Sequence, residues 1–173
     1  GWDWIEAVGA RAADVRAQLL QRLDVVPVSL ALAQAASESG WGSSRLAREN
    51  NNLFGHMSRE FDGLTPIAMG KNFHSLQAAI EAYINNLNTT RAYQGLWRQR
   101  ALMRQTAEWL DPMQLAGSLV LYSERGWGYV QDIQALMREN KLLALREVSL
   151  RNASALAEIP PPAPTPRWLA VLE

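Results

Sequence analysis

The strongest constraint on the fold is a stretch of apolar residues that leads to a glutamate. In residues 25–36 only Ser29 and Gln34 are polar, and apolar residues around nearly the whole circumference are typical of a helix inside a domain. Glu38 follows two residues later, and Gly40 can end the helix in a left-handed conformation. Burial disfavours the charged form of a carboxyl group and raises its pKa. The pattern therefore predicts that Glu38 is a general acid at the edge of the core.

Length and charge narrow the class of protein. The 173 residues suffice for one domain with a sizeable core. The 17 basic and 17 acidic residues cancel, so no overall field attracts nucleic acid or an anionic membrane. We expect a monomer with no nucleic-acid partner and no transmembrane span. The chain has no cysteine, and His56 and His74 fit no metal-binding spacing, so we expect neither a metal nor a cofactor.

Helical periodicity recurs along most of the chain and predicts a mainly α (α+β) fold. Glycines and prolines interrupt residues 43–73, which predicts loops and a small β-hairpin lobe. Ser75 and Asp111 are suitable N-caps. The predicted helices cover residues 4–23, 25–39, 76–87, 92–103, 112–122 and 129–140.

The domain is predicted to occupy residues 1–140, with its core at about 20–140. Beyond Lys141 the helical pattern weakens. Residues 141–173 are predicted to be a C-terminal extension, and the proline-rich residues 160–166 within it should be extended rather than packed.

Several ordered motifs carry a resemblance to a known family. Residues 33–44 read AQAASESGWGSS and residues 51–55 read NNLFG. Together they resemble the glucosaminidase family of bacterial wall enzymes, glycoside hydrolase family 73. Residues 83–89 (YINNLNT) and 122–126 (YSERG) are similar to its Bax-type members. The resemblance implies a lysozyme-like fold and cleavage of β-1,4 bonds beside N-acetylglucosamine in peptidoglycan glycan strands. It also implies a location in the periplasm or cell envelope.

The resemblance gives roles to individual residues. Glu38 becomes the general acid that protonates the glycosidic oxygen. Tyr129 lies where the family presents a tyrosine toward the acid, and a phenol can orient the acid or the acetamido group of the substrate. Glu60 and Asp62, in the predicted hairpin, are candidates for a second, water-activating carboxylate. Residues 58–63 equally fit an ordinary polar turn, and the acetamido group could replace that carboxylate.

Candidate glycan-binding residues surround these positions in the sequence. Sugar rings stack on indoles, and their hydroxyl groups bond to amides. Asn51 and Asn52 could equally form a turn that bonds backbone, and the helical spacing of Tyr122 favours packing. The candidates are Trp41, Asn51, Asn52, Phe54, Tyr122 and Trp127.

The favoured activity is hydrolysis by an endo-β-N-acetylglucosaminidase. A lytic transglycosylase would use the same acid, but a hydroxyl of the sugar itself would attack and leave anhydro ends. A third alternative is a catalytically weak module that binds wall glycan. The short hairpin segment motivates this last alternative.

Overall fold

The computed structural model describes residues 3–62, 65–106 and 109–147. Within them, helices dominate and two strands pair into one antiparallel sheet, so the predicted mainly α (α+β) class is confirmed. Short 3₁₀ helices cover Arg91–Tyr93, Gly117–Leu119 and Leu142–Glu147. The longer elements are α1 (Asp3–Arg22), α2 (Val28–Ser39), α3 (Arg45–Asn50), β1 (Met57–Asp62), β2 (Thr65–Gly70), α4 (Leu76–Thr89), α5 (Gln94–Thr106), α6 (Pro112–Ala116) and α7 (Trp127–Glu139).

Helix α2 lies against α6, α7 and the 3₁₀ helix Leu142–Glu147. Its buried face joins a core whose fully buried members include Leu30, Ala33, Tyr83, Leu87, Leu115, Leu119, Ile133 and Met137. The prediction that α2 lies inside the domain holds for one face only, because Val28 is 53% exposed and Leu32 is 43% exposed. Apolar composition does not report how many neighbours a helix has, and the described part of the chain covers α2 only partly around Val28 and Leu32.

Capping residues set several helix ends as predicted. Gly40 ends α2 with φ 57°, in the left-handed region that glycine tolerates. The Ser75 side chain accepts a hydrogen bond from the Ala78 N–H at the start of α4. Asp111 accepts hydrogen bonds from two N–H groups at the start of α6. The helix predicted at 112–122 is shorter, since α6 passes into the 3₁₀ helix Gly117–Leu119.

The predicted hairpin is formed by β1 and β2, with Glu60 opposite Ile67 and Asp62 opposite Thr65. Helix α3, which precedes the hairpin, is not predicted by the sequence pattern. Its six residues make fewer than two turns, too few for a helical period to emerge. Ser44 caps it by accepting a hydrogen bond from the Ala47 N–H.

The packed part of the chain continues beyond residue 140. The 3₁₀ helix Leu142–Glu147 contacts both α2 and α7, and Leu142 packs against the core. The proline-rich residues 160–166 lie outside the described residues. None of the helices in the described ranges is both long and apolar enough to cross a membrane.

Candidate active site

Glu38 lies in the last turn of α2 and is half-buried. Three successive residues with positive φ then turn the chain away from the helix: Gly40 (57°), Trp41 (59°) and Gly42 (78°). Ser39 fixes this exit, because its Oγ donates to the Ala35 carbonyl and accepts from the Gly42 N–H. The Glu38 side chain thus lies at the edge of the core, where the chain leaves α2.

Burial raises the pKa of Glu38, and a hydrogen-bonding contact with Tyr129 opposes that rise. The net pKa is above the ordinary value of a glutamate. Burial also raises the pKa of Tyr93, Tyr122 and Tyr129, and the nearby charge of Glu38 adds to the rise for each of them. The side chains around Glu38 are therefore neutral phenols. They exclude water from the carboxyl group, and this loss of hydration favours its protonated form.

A chain of buried side chains continues from Tyr129 into the core. The Gln34 Nε2 donates to the Tyr129 hydroxyl over 2.9 Å, and the Tyr83 hydroxyl donates to Gln34 Oε1 over 2.7 Å. Gln34 is 0% exposed. The ring of Tyr129 stacks on that of Tyr122, with centroids 5.5 Å apart. Tyr129, predicted to face the acid, is thus held from two sides.

The segment Phe54-Gly55 passes directly over the acid. Gly55 has φ 66°, and a Cβ atom at this position would lie 3.0 Å from Glu38 Oε2. Phe54 is buried and stacks on Tyr83, with ring centroids 4.0 Å apart. The Tyr122 hydroxyl donates to the Phe54 carbonyl over 3.1 Å. Phe54 and Tyr122, predicted to bind glycan, are used here to hold the backbone beside Glu38.

The amides of Asn51 and Asn52 hydrogen-bond to backbone. Asn52 is buried; its Nδ2 donates to the carbonyls of His56 and Lys71, and its Oδ1 accepts from the His56 N–H. The half-buried Asn51 donates to the Phe73 carbonyl. This geometry fits the alternative of a backbone-bonding turn and does not support glycan binding by the Asn52 side chain.

Two of the predicted glycan-binding residues project into solvent. Trp41, just after α2, is 62% exposed, and Trp127, at the start of α7, is 64% exposed. They lie close in sequence to Glu38 and Tyr129 respectively. Glu60 and Asp62 lie on β1, and the assignment of a second catalytic carboxylate to either stays a prediction.

Three residues of this site were missed in the sequence: Gln34, Tyr83 and Gly55. Gln34 had a recognisable signal. It is one of two polar residues in an apolar stretch, and it lies one helical turn before Glu38, on the same face. Tyr83 is the first residue of the YINNLNT motif, but nothing local distinguishes its side chain from a packing residue.

A mostly helical domain with a small hairpin, in which a carboxylic acid of raised pKa lies among tyrosines, has the features of a glycosidase domain. Residues 13–142 match the glucosaminidase family model, described as mannosyl-glycoprotein endo-beta-N-acetylglucosaminidase. The chain therefore belongs to the glucosaminidase family, glycoside hydrolase family 73, and is of the Bax type. The family predicted from the motifs is confirmed.

The relatives differ in how much they share with this chain. Protein bax of Escherichia coli (strain K12) is 37% identical over 130 residues, which are 72% of this chain and 47% of the relative. The chain thus spans about half the length of that curated protein. The crystal structure of the catalytic domain of the autolysin Auto from Listeria monocytogenes matches with a TM-score of 0.50 and 21% identity, covering 82% of this chain and 85% of the other. At that identity the likeness shows the fold alone.

Proposed function

We propose that this chain is a peptidoglycan hydrolase, an endo-β-N-acetylglucosaminidase that uses Glu38 as its general acid. The observation that carries the proposal is the raised pKa of a half-buried glutamate beside Tyr129, in a chain of the glucosaminidase family. The family model, described as an endo-beta-N-acetylglucosaminidase, supports a glycan substrate, and the resemblance of the sequence motifs to bacterial wall enzymes supports peptidoglycan. Such a substrate would place the protein in the periplasm or cell envelope.

The role of Glu38 follows from its protonation. A raised pKa keeps more of the carboxyl group protonated near neutral pH, so it can donate a proton to the glycosidic oxygen as the bond to the anomeric carbon breaks. Tyr129 contacts Glu38 and accepts from Gln34. We therefore assign Tyr129 first to orienting the acid, and only then to the acetamido group of the substrate.

Two groups compete for the second half of the reaction. Glu60 or Asp62 could activate water, or the acetamido oxygen of the substrate could attack the anomeric carbon. The anomeric configuration of the first product separates the two, because a water-activating carboxylate inverts it and a neighbouring acetamido group retains it. We propose that Trp41 and Trp127, both exposed, stack on sugar rings on either side of the acid.

The test is digestion of purified peptidoglycan, with the ends of the fragments identified by mass spectrometry. We expect the wild type to release reducing N-acetylglucosamine ends. Glu38→Gln should cleave at least about 10²-fold more slowly, because an amide N–H is far too weak an acid to protonate the leaving oxygen. Glu49→Gln, an exposed glutamate on α3, is the matched control and should retain full activity.

Other outcomes would change the assignment. Anhydro ends would make the protein a lytic transglycosylase with the same acid. Glycan binding without fragments would make it a binding module. Cleavage by Glu38→Gln at the wild-type rate would remove Glu38 from the mechanism.

A further inference from the structure

Gln34 is a fully buried amide with both of its polar atoms engaged by tyrosines. Its Nε2 donates to Tyr129 from α7, and its Oε1 accepts from Tyr83 of α4. Three helices are joined at this side chain, since Gln34 itself lies on α2. Glu38 lies one turn further along the same helix, and Tyr129 contacts both residues.

The direction of these hydrogen bonds follows from Glu38, the group at which this series of hydrogen bonds ends. An ionised carboxylate can only accept. Tyr129 must therefore give its single proton to Glu38, so its oxygen is left to accept from Gln34 Nε2. The Gln34 oxygen then faces Tyr83, which donates to it. In the hydrogen-bonded series Tyr83, Gln34, Tyr129, every donor points toward Glu38. Hydrogen bonds aligned in this way strengthen one another.

We propose that Gln34 is a positioning residue that directs the Tyr129 proton to Glu38, with Tyr83 holding the Gln34 amide in the required orientation. A free tyrosine hydroxyl can rotate between several acceptors. With its oxygen occupied by Gln34 Nε2, the Tyr129 hydroxyl has its proton aimed at the acid. Gln34 thereby sets both the orientation of the Glu38 carboxyl group and the strength with which its ionised form is stabilised.

The expected effect of Gln34 on the rate rests on the proposed function. Its expected effect on the protonation of Glu38 does not. The titratable groups packed around Glu38 in the described residues include Tyr93, Tyr122 and Tyr129, all of raised pKa. They stay neutral while a carboxyl group titrates, so a change in the titration of Glu38 reports on hydrogen bonding to it.

The experiment uses Gln34→Met, which has nearly the same shape and no amide. Because this variant leaves the Tyr83 hydroxyl without an acceptor, the double variant Gln34→Met/Tyr83→Phe is made beside it. The double variant removes both partners of that bond and leaves Tyr129 still able to donate to Glu38, so the fold is expected to tolerate it better. Asn88→Leu is the control: it removes another buried amide, which binds Arg100 and the Asp24 carbonyl before the start of α2.

Two measurements are made for each variant. Carboxyl-carbon NMR follows the titration of Glu38, and kinetics on solubilised glycan give kcat and KM. In both Gln34 variants we expect the pKa of Glu38 to rise. The high-pH limb of the pH–activity profile should then move to higher pH. We expect kcat to fall about 10-fold with little change in KM. Tyr129→Phe should raise the pKa further. Asn88→Leu should lower stability and leave the titration of Glu38 unchanged.

The inference and the proposed function can fail separately. If the double variant titrates at Glu38 as the wild type does and keeps its kcat, Gln34 is only a packing residue and the inference is overturned. An equal shift in Asn88→Leu would overturn it as well, since loss of stability would then explain the effect. If the wild type cleaves no glycan, the proposed function fails, while a raised pKa of Glu38 in the Gln34 variants still supports the positioning role.

Discussion

Glu38 is confined by backbone as well as by side chains. A Cβ atom at Gly55 would approach Glu38 Oε2 to 3.0 Å, closer than ordinary contact. The glycine also has φ 66°, where other residues are strained. Both facts explain why the NNLFG motif ends in glycine: the loop passes so close to Glu38 that an added Cβ atom would force the carboxylate to shift by a few tenths of an ångström.

Gly55→Ala should therefore impair catalysis more than folding. The added methyl group would push the carboxyl group from its position, and we expect kcat to fall about 10-fold or more, since small displacements of reacting groups carry large penalties. The backbone strain should cost about 1 kcal/mol of unfolding free energy. Kinetics on solubilised glycan and thermal melting measure the two effects.

Gly42→Ala is the matched control for this prediction. Gly42 also has a positive φ, 78°, but an added Cβ atom would meet nothing within 4 Å. It should show a comparable loss of stability and a much smaller loss of kcat. Equal losses of kcat in the two variants would mean that strain, and not the approach to Glu38, is responsible.

Among the connecting elements, the turn after α3 depends on one side chain. Asn52 makes three hydrogen bonds with backbone at the base of the hairpin, to His56 and Lys71. Asn52→Ala leaves these groups without their partner, and we expect the free energy of unfolding in urea to drop by about 2 kcal/mol. Asn85→Ala, an exposed position on α4, should leave it nearly unchanged.

This substitution also separates two roles for Asn52. A raised KM with unchanged stability would restore it as a glycan ligand, as the sequence had suggested. A loss of stability with KM little altered once the protein is folded would make it a structural residue.

Helices with a strong hydrophobic period are predictable from the sequence. Short helices, and contacts between residues far apart along the chain, are not. Helix α4 is marked by apolar residues at helical spacing after Ser75, and Glu38 stands out as a charge beside an apolar stretch. Helix α3 is too short to show a period. Gln34 contacts Tyr83 and Tyr129 across 49 and 95 residues of chain, and no local pattern encodes pairing over such separations.

For the molecule as a whole, the least expected feature is that the packed part of the described chain extends beyond residue 140. The 3₁₀ helix Leu142–Glu147 continues the domain past the predicted boundary at residue 140 and covers part of α2. The weak helical pattern after Lys141 predicts an extension rather than a packed element, because six residues of 3₁₀ helix have no amphipathic period to detect.

A chain that ends at residue 147 should therefore be more stable than one that ends at residue 140. The shorter chain loses the contact of Leu142 with the core, which we expect to be worth about 1–2 kcal/mol by burial of apolar surface. Urea denaturation of the two chains measures the difference. Equal stabilities would show that the domain is complete at residue 140, as the sequence pattern predicts.

At Trp41, the stability of the backbone and the proposed binding of glycan favour different residues. A large aromatic residue is held with φ 59° between two glycines that also have positive φ, and its side chain is 62% exposed. Left-handed backbone costs a residue other than glycine roughly 1 kcal/mol. A search for heat-resistant variants would therefore choose glycine here, and would discard the indole that we propose stacks on the glycan. At this position, selection for thermal stability would therefore favour glycine, whereas selection for glycan binding would keep tryptophan.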